Sequence, residues 1–555
     1  ILGVLRNGVM RSQAEGLSLI QMVDLAAYLS KGGAGPVSRT SAETPTCAGP
    51  APPMTLEGPR WNGWGADVRN DRLQPDPGLV AAEVPRLKLA WAIALNGDRA
   101  GEPIIAGDRL FINDASGTIE ALDARTGCLY WRYEAQGASR ATMSIGSLPR
   151  AFGHDRYALY FVDSTRQAYA LDAQTGALLW KTSVDDQKPS LMTGSPALFG
   201  GRLYIPISSG EEVFSLFPGY LCCRFRGAVV ALDAFTGKLV WKTYTVPGPA
   251  QPLGVNAKGK PLWGPAGGAI WSAPTIDARR GLLYVGTGNS YTNLLQGDFD
   301  SVLAIDLKSG TVRWKRSLDP TDTYLDGCNP PAQQNANCPK SLGGDFDIGA
   351  SPILHRLPNG RRILVVGQKS GQVWGLDPDH AGKVLWVTRL SKGGPLGGVE
   401  FGPAIDGERV FAAVSDIFTG AAAKPGLSAL DLDDGELVWS DPATRLPCAW
   451  SGPFCDPALS QAVTAMPGVV FAGSMDGWLR AWRASDGKVL WSYDTGGAPI
   501  PTLDGGTARG GVLDGGGPTI AGGRLYVVSG YAERSGRPGT VLLAFSVDGR
   551  GSKRY

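Results

Sequence analysis

Long apolar runs are missing from this chain of 555 residues. None approaches the roughly 18 consecutive residues that a membrane-crossing helix needs, so no membrane span is expected. Charge of one sign is missing as well. Lys and Arg number 53 against 51 Asp and Glu, the formal net charge is +2, and both signs are spread along the chain. Without a basic stripe the sequence carries no nucleic-acid footprint. Histidine is scarce: only His154, His355 and His380 are present, and the eight cysteines do not fall into a zinc-ligand spacing. The opening residues Ile1-Leu2-Gly3-Val4 include neither an initiator Met nor a signal-peptide pattern. The expectation is a chain that begins inside a domain, with whatever directs export lying upstream.

What is present points to many short strands. Glycine numbers 77 and proline 40, and 43% of residues are hydrophobic, enough for a large core. The cysteines are Cys47, Cys128, Cys222, Cys223, Cys328, Cys338, Cys448 and Cys455, an even number with short spacings that favours disulfides and an oxidising compartment. Cys328–Cys338 and Cys448–Cys455 read as staples across loops. Cys222-Cys223 are neighbours, and Cys47–Cys128 follows only by elimination.

One unit recurs along the chain: small residue, apolar residue, Asp, a short variable stretch, Gly, three residues, Trp. It appears at Asp123/Gly127/Trp131, Asp172/Gly176/Trp180, Asp233/Gly237/Trp241, Asp306/Gly310/Trp314, Asp377/Gly382/Trp386 and Asp431/Gly435/Trp439, with a degenerate copy from Ala481 to Gly487 and Trp491. The apolar residues before the Asp read as a strand. The Asp and Gly read as a tight hairpin in which Gly takes a positive φ, and the following strand ends in Trp. Antiparallel modules at such intervals predict an all-β propeller.

The two ends complete the ring. The C-terminal module, through Leu525-Tyr526-Val527-Val528 and Val541 to Phe545, has no Trp strand of its own, while Leu87-Lys88-Leu89-Ala90-Trp91 is such a strand with no module before it. Joining them removes an open sheet edge and gives seven complete modules plus one split module, an eight-bladed β-propeller over residues 61–555. Ahead of it, Ser18 reads as the N-cap of a short helix with Leu19, Met22, Val23, Ala26 and Leu29 on one face. Residues 33–60, rich in Gly, Pro, Ser and Thr, read as a linker.

The repeated unit resembles the pyrroloquinoline quinone (PQQ) enzyme repeat. A non-catalytic outer-membrane assembly lipoprotein carries similar repeats, so function rests on the site rather than the propeller. Five segments are similar, in order and spacing, to those of the PQQ-dependent (quinoprotein) alcohol dehydrogenases. They are Ser208-Ser209-Gly210-Glu211-Glu212, Gly267 to Pro274, Gly286-Thr287-Gly288-Asn289, Asp345 to Pro352, and Gly367-Gln368-Lys369-Ser370-Gly371. Trp61-Asn62-Gly63-Trp64-Gly65, Cys222 to Gly227 and Ser474-Met475-Asp476-Gly477 resemble the polyvinyl alcohol dehydrogenase branch. Residues 1–32 resemble the end of a cytochrome c domain, with Met10 at the place of an axial ligand. No Cys-x-x-Cys-His occurs, so haem c is expected only if an upstream part supplies it.

The resemblance implies roles residue by residue. Trp271 matches the aromatic floor under the quinone, an indole being the largest rigid π face available. It lies outside the repeat position that accounts for eight of the 16 tryptophans. Glu212 and Asn289 match protein ligands of a bound Ca²⁺, which takes hard oxygen donors. Glu211 is adjacent and exchangeable with Glu212 at this stage. Asp347 matches the general base that takes the alcohol proton, and it joins the metal ligands as well. Asp345, two residues earlier, would share a face with it in an extended segment, leaving base and ligand roles divisible between the two. Lys369 matches the cation beside the quinone oxygens, with Arg140 and Ser209 as further partners for the quinone carboxylates. Taken alone, Asn289 also reads as a turn residue, Lys369 as a surface lysine and the Asp pair as a solvated acidic loop. Cys222-Cys223 does not match by position the cysteine ring that methanol-oxidising relatives place over the quinone, and here it reads as fastening the loop after Glu212.

The implied function is PQQ- and Ca²⁺-dependent oxidation of alcohols, secondary groups such as those of polyvinyl alcohol among them, with electrons passed to a cytochrome c in the periplasm. Two other readings stand beside it: a PQQ-free propeller acting as an envelope scaffold, which needs none of Glu212, Trp271, Asn289, Asp347 and Lys369, and a quinoprotein acting on a sugar.

Overall fold

The computed structural model describes residues 43–97, 99–149, 156–217, 219–328, 335–417, 419–443, 456–531, 536–539 and 541–549. The helix expected within residues 1–32, its resemblance to a cytochrome c end, Met10, and the pair Cys448–Cys455 lie outside those residues.

Eight four-stranded antiparallel units follow one another around a ring, as the repeats predict. Blade 1 runs through Ile104–Ala106, Arg109–Asn113, Thr118–Asp123 and Leu129–Glu134. The inner strands of blades 2 to 7 are Ser144–Ser147, Ala197–Phe199, Thr275–Asp277, Ile353–Arg356, Ala404–Asp406 and Thr464–Met466. Blade 8 is the split one. Thr519–Ala521, Arg524–Ser529 and Val541–Val547 come from the C-terminal end, and Leu87–Ala94 supplies the outermost strand, with Trp91 opposite Ala544.

The repeat has a packing cause that reaches from each blade to the next. The Gly of one turn lies against the Trp of the preceding blade: Gly127 on Trp91, Gly176 on Trp131, Gly237 on Trp180, and likewise around the ring, so a Cβ there would strike the indole. These glycines also hold positive φ, 77° at Gly127 and 74° at Gly176, so conformation and contact both demand the residue. The indole N–H then donates to a backbone carbonyl of the next blade, as from Trp131 to Ala173 at 3.1 Å and from Trp491 to Leu87 at 3.0 Å. Trp314 is the exception, and its Nε1 has no partner among the described residues. The turn it faces, Asp377 to Gly382, is one residue longer than the others and carries the 3-10 turn Pro378–His380. A β-bulge just before the Trp recurs in all eight outer strand pairs, adding the local twist that swings each Trp toward its neighbour.

The linker expectation needs correction for its later part. Residues 44–60 are fixed to blades 1 and 2. Thr46 bridges Leu129, Cys47 is disulfide-bonded to Cys128, and Met54 is buried, its N–H donating to Gln174 at 2.8 Å. Their Pro and Thr content reads as a loop, but the carbonyls of Ala51 and Pro52 accept from Gln174 and Arg109, which sequence composition does not reveal.

The segment that follows makes a full turn around the axis. Arg60–Trp61 pairs with the inner strand of blade 1, and Asn62 exchanges two hydrogen bonds with Ile145 of blade 2. The carbonyls of Val68, Arg69, Asp71 and Arg72 then accept from Ile276, Leu354, Ile405 and Ala465 in blades 4, 5, 6 and 7, and Gln74 donates to Ile520 of blade 8. Buried Arg72 anchors this turn by donating to Val463 O, Thr464 Oγ1 and the Glu102 carboxylate, the last at 3.0 Å.

Candidate active site

The loops leading into and between the inner strands of blades 3 to 6 hold the residues singled out from sequence. Blade 3 ends its second strand, Arg202–Ser209, in the single helical turn Glu211–Phe214. Ser209 Oγ accepts from the N–H of Glu211 at 2.9 Å and fixes that turn. The two glutamates differ in their partners. Buried Glu211 accepts from Tyr220 Oη at 2.7 Å and from the N–H groups of Arg224 and Phe225, so its carboxylate is spent on the loop carrying the Cys222–Cys223 disulfide. Glu212 points instead among Asp345, Asp347, Asp326 and Lys369. Burial first, and then the charges of Asp345 and Asp347, push its carboxyl well above the usual range.

Asp347 sits at the centre. One carboxylate oxygen accepts from Trp271 Nε1 and the other from the Asn289 backbone N–H, both at 2.8 Å. Two glycines make room for this: a Cβ on Gly288 would come within 2.6 Å of the Asp347 carboxylate, and one on Gly349 would overlap the Trp271 ring. Asn289 is fully buried. Its Nδ2 donates to the carbonyls of Ser290 and Tyr324, while its Oδ1 has no partner among the described residues.

Asp345 is where the extended-segment expectation fails. Its φ is 58°, so the backbone reverses there and the two carboxylates do not line one strand face. Asp322 enforces the reversal by accepting from the N–H groups of both Asp345 and Phe346. Asp345 Oδ2 instead receives the Lys369 ammonium at 2.8 Å, and its Oδ1 has no partner. Burial, opposed by Lys369 and reinforced by Asp347, raises the Asp345 carboxyl to about 7. Lys369 is buried rather than at the surface. Desolvation works against its charge, but Asp345 and Asp347 outweigh it and hold the ammonium above its ordinary range. Its Nζ lies 5.9 Å from the centroid of the Trp271 ring.

The other side of the cluster is a cavity of about 410 Å³, counting the part open to solvent, with Trp271 and Phe401 in its wall and Trp64 from the axial turn. Arg140 lines it, its guanidinium 5.8 Å from the Tyr531 ring. The hydroxyls of Thr193 and Ser272 also line it, and both are buried without a partner. Ser209 is not among the lining residues of this cavity.

These features fit the groups implied by the sequence. Asn289 leaves its Oδ1 orphaned while its backbone N–H holds the Asp347 carboxylate, and an amide oxygen with a carboxylate is the kind of hard donor set that Ca²⁺ takes. A flat indole, an arginine and two unsatisfied hydroxyls around one cavity suit a planar anionic ring. Sequence reasoning missed Asp322 and Asp300. Asp300 is fully buried, both carboxylate oxygens lack a partner, and burial together with Asp347 raises it well above the usual range. Asp300 ends Gly297-Asp298-Phe299-Asp300, the same four residues as Gly344-Asp345-Phe346-Asp347, a signal that could have pointed to it, whereas Asp322 lies in no such motif.

Comparison with known proteins agrees with this arrangement. The chain is 51% identical to a polyvinylalcohol dehydrogenase of a Pseudomonas species, over 98% of this chain and 88% of the relative. It is 46% identical to the polyvinylalcohol dehydrogenase of Sphingopyxis sp. strain 113P3, over 99% and 88%. A family profile described as glucose/ethanol/alcohol dehydrogenase, beta-propeller domain, matches residues 220–324. One described as outer membrane protein assembly factor BamB matches residues 73–217, 167–258 and 298–532. The solved quinohemoprotein alcohol dehydrogenase of Comamonas testosteroni shares the fold, with a TM-score of 0.62 at 20% identity over 89% of this chain and 81% of that one.

Proposed function

The chain belongs to the PQQ-dependent alcohol dehydrogenase family, on its polyvinyl alcohol dehydrogenase branch, and from that premise we propose that it oxidises secondary alcohol groups, those of polyvinyl alcohol among them, with Ca²⁺ at the quinone and a cytochrome c as electron acceptor. The observation that carries the reading is the placement of Asp347 between the Trp271 indole and the Asn289 amide, beside Lys369 and Glu212.

Trp271 would support the fused ring of PQQ, with Arg140 and the Thr193 and Ser272 hydroxyls toward its carboxylates. Ser209 stays a partner proposed from resemblance. Glu212, Asn289 Oδ1 and Asp347 would hold the calcium ion. When bound, PQQ supplies the hydride acceptor at its C5 carbonyl, polarised by calcium.

Within the chain, Asp347 takes the proton of the substrate hydroxyl. The two N–H groups that Asp347 accepts hold its carboxylate in one orientation and leave the remaining lone pairs for that proton. Asp345 is bound to Lys369 and is the weaker candidate for the base. Lys369 keeps a positive charge next to the ring floor. No helix among the described residues is long and apolar enough to cross a membrane. Three disulfides and the family support a periplasmic setting.

The test is reconstitution of the purified chain with PQQ and Ca²⁺, followed by dye reduction with polyvinyl alcohol and a panel of primary and secondary alcohols. Reduction that needs both cofactors and prefers secondary alcohols is expected. Quinone-independent inertness toward every alcohol overturns the reading.

A further inference from the structure

Between blades 3 and 4 the chain leaves the ring to form a separate two-stranded hairpin, Gln251–Val255 paired with Pro261–Gly264. It belongs to no blade. All five residues of its first strand are exposed, with Leu253 at 42% and Val255 at 65%. Among the described residues that strand has no second strand partner, so there it is an open edge. An exposed apolar edge is ordinarily a liability that proteins suppress.

This hairpin is mounted at both ends on the helical turn that carries Glu212. At one end Trp263 exchanges backbone hydrogen bonds with Cys222 and Cys223, and the Arg224 guanidinium lies 3.7 Å from its ring centroid. The same loop delivers the Arg224 and Phe225 N–H groups to Glu211. At the other end Asn256 Nδ2 donates to Asn337 at 2.7 Å, in the loop closed by Cys328–Cys338. Asn337 and Asn335 donate onward to Ser215, which donates to the carbonyl of Glu212. The loop carrying Cys222–Cys223 and the loop closed by Cys328–Cys338 therefore tie the hairpin to the turn that carries Glu212. Leu221 on the first loop and Leu295 on the loop after Asn289 are each exposed at 44%.

We propose that hairpin 251–264 is a docking platform for an extended, uncharged, hydroxylated aliphatic chain whose reacting carbinol enters the site. The proposal rests on the reading of the protein as an oxidase of polymeric alcohols. Its chemistry is complementary to such a chain. Leu253 and Val255 offer apolar surface to methylenes, and the open edge offers backbone N–H and C=O groups to hydroxyls. Residues 245–265 hold Lys258 and Lys260 and no carboxylate, so no acidic charge is presented to select a cationic partner.

The test is the double variant Leu253→Ser, Val255→Ser, assayed with an artificial dye against polyvinyl alcohol and against 2,4-pentanediol, a small secondary diol. The expected result is a KM for the polymer raised about tenfold, with kcat and the pentanediol constants unchanged. In parallel, cofactor-free wild-type protein is expected to be retained on immobilised polyvinyl alcohol and the variant to elute early. An unchanged polymer KM, or equal losses on both substrates, overturns the proposal. So does a raised KM for a cytochrome c acceptor with the polymer KM unmoved, which would assign the surface to a protein. A wild type that oxidises neither alcohol sinks the functional reading instead, and the retention experiment still decides the platform.

Discussion

The indole Nε1–H of Trp271 donates to the Asp347 carboxylate at 2.8 Å. One residue is the proposed ring floor and the other the proposed base, so floor and base are a single hydrogen-bonded unit. The angle at which Asp347 meets a substrate hydroxyl is set by the ring that supports the hydride acceptor.

Asp347→Asn is therefore expected to lower kcat by about 10²- to 10⁴-fold, the usual contribution of a positioned base. PQQ binding, followed by absorbance, should be largely retained, because the Trp271 face is unchanged. The new amide has one oxygen for two N–H donors, so one of the contacts from Trp271 and Asn289 is lost and a small loss of quinone affinity accompanies the change. Turnover at the wild-type level would move the base to Asp345 or elsewhere.

Asp322 acts on the same carboxylates through the backbone. It receives the N–H groups of Asp345 and Phe346, while its own carbonyl accepts from Ser290, next to Asn289. Asp322→Asn leaves one of the two N–H groups facing another donor. The expected outcome is a 10- to 100-fold weaker affinity for a calcium-mimicking lanthanide, read by luminescence titration of the cofactor-free protein. The far-UV spectrum should not change. Wild-type affinity in the variant would show that the Asp345 reversal holds without Asp322.

The Cys47–Cys128 disulfide spans 81 residues and ties the chain ahead of the propeller to the outer strand of blade 1. Closing a loop of that length restricts the unfolded chain by about 4 kcal/mol. Cys47→Ser with Cys128→Ser should lose stability on that order in denaturant titrations, with kcat unchanged. A loss of activity at full stability would instead place this disulfide in communication with the site.

Much of the ring could be read from sequence because its cause repeats: seven of the eight repeat tryptophans, all but Trp491 at the split blade, meet the Gly of the next turn, so both letters recur at fixed spacing. The split blade followed from Trp91 lacking a module and from the C-terminal module lacking a Trp. The axial turn from Arg60 to Gln74 gave no such signal. Its bonds run mostly through backbone carbonyls, which every residue has, to strands as far away as Ile520. At the site, Glu212, Trp271, Asn289, Asp347 and Lys369 lie in motifs and converge. The reversal at Asp345 was hidden because its cause, Asp322, lies 23 residues upstream.

The axial turn also gives the fold a pH dependence. Glu102 is fully buried and accepts from Arg72, Trp61 Nε1 at 2.6 Å and the Gly517 N–H at 3.0 Å. Burial outweighs those three donors and raises its carboxyl to about 7, from an ordinary value of 4.5. Between these two values the folded protein holds a proton that the unfolded chain has released. Folding stability from this group is thus greatest below about pH 4.5 and falls as pH rises to about 7, by on the order of 3 kcal/mol across the window. Denaturant midpoints at pH 5 and pH 8 measure it. Wild type should lose more stability between them than Glu102→Gln, whose side chain does not titrate, and the difference between the two slopes isolates Glu102 from the other buried carboxyls. Parallel slopes would mean that Arg72 keeps Glu102 ionised throughout, and that the axial turn is held by a permanent ion pair.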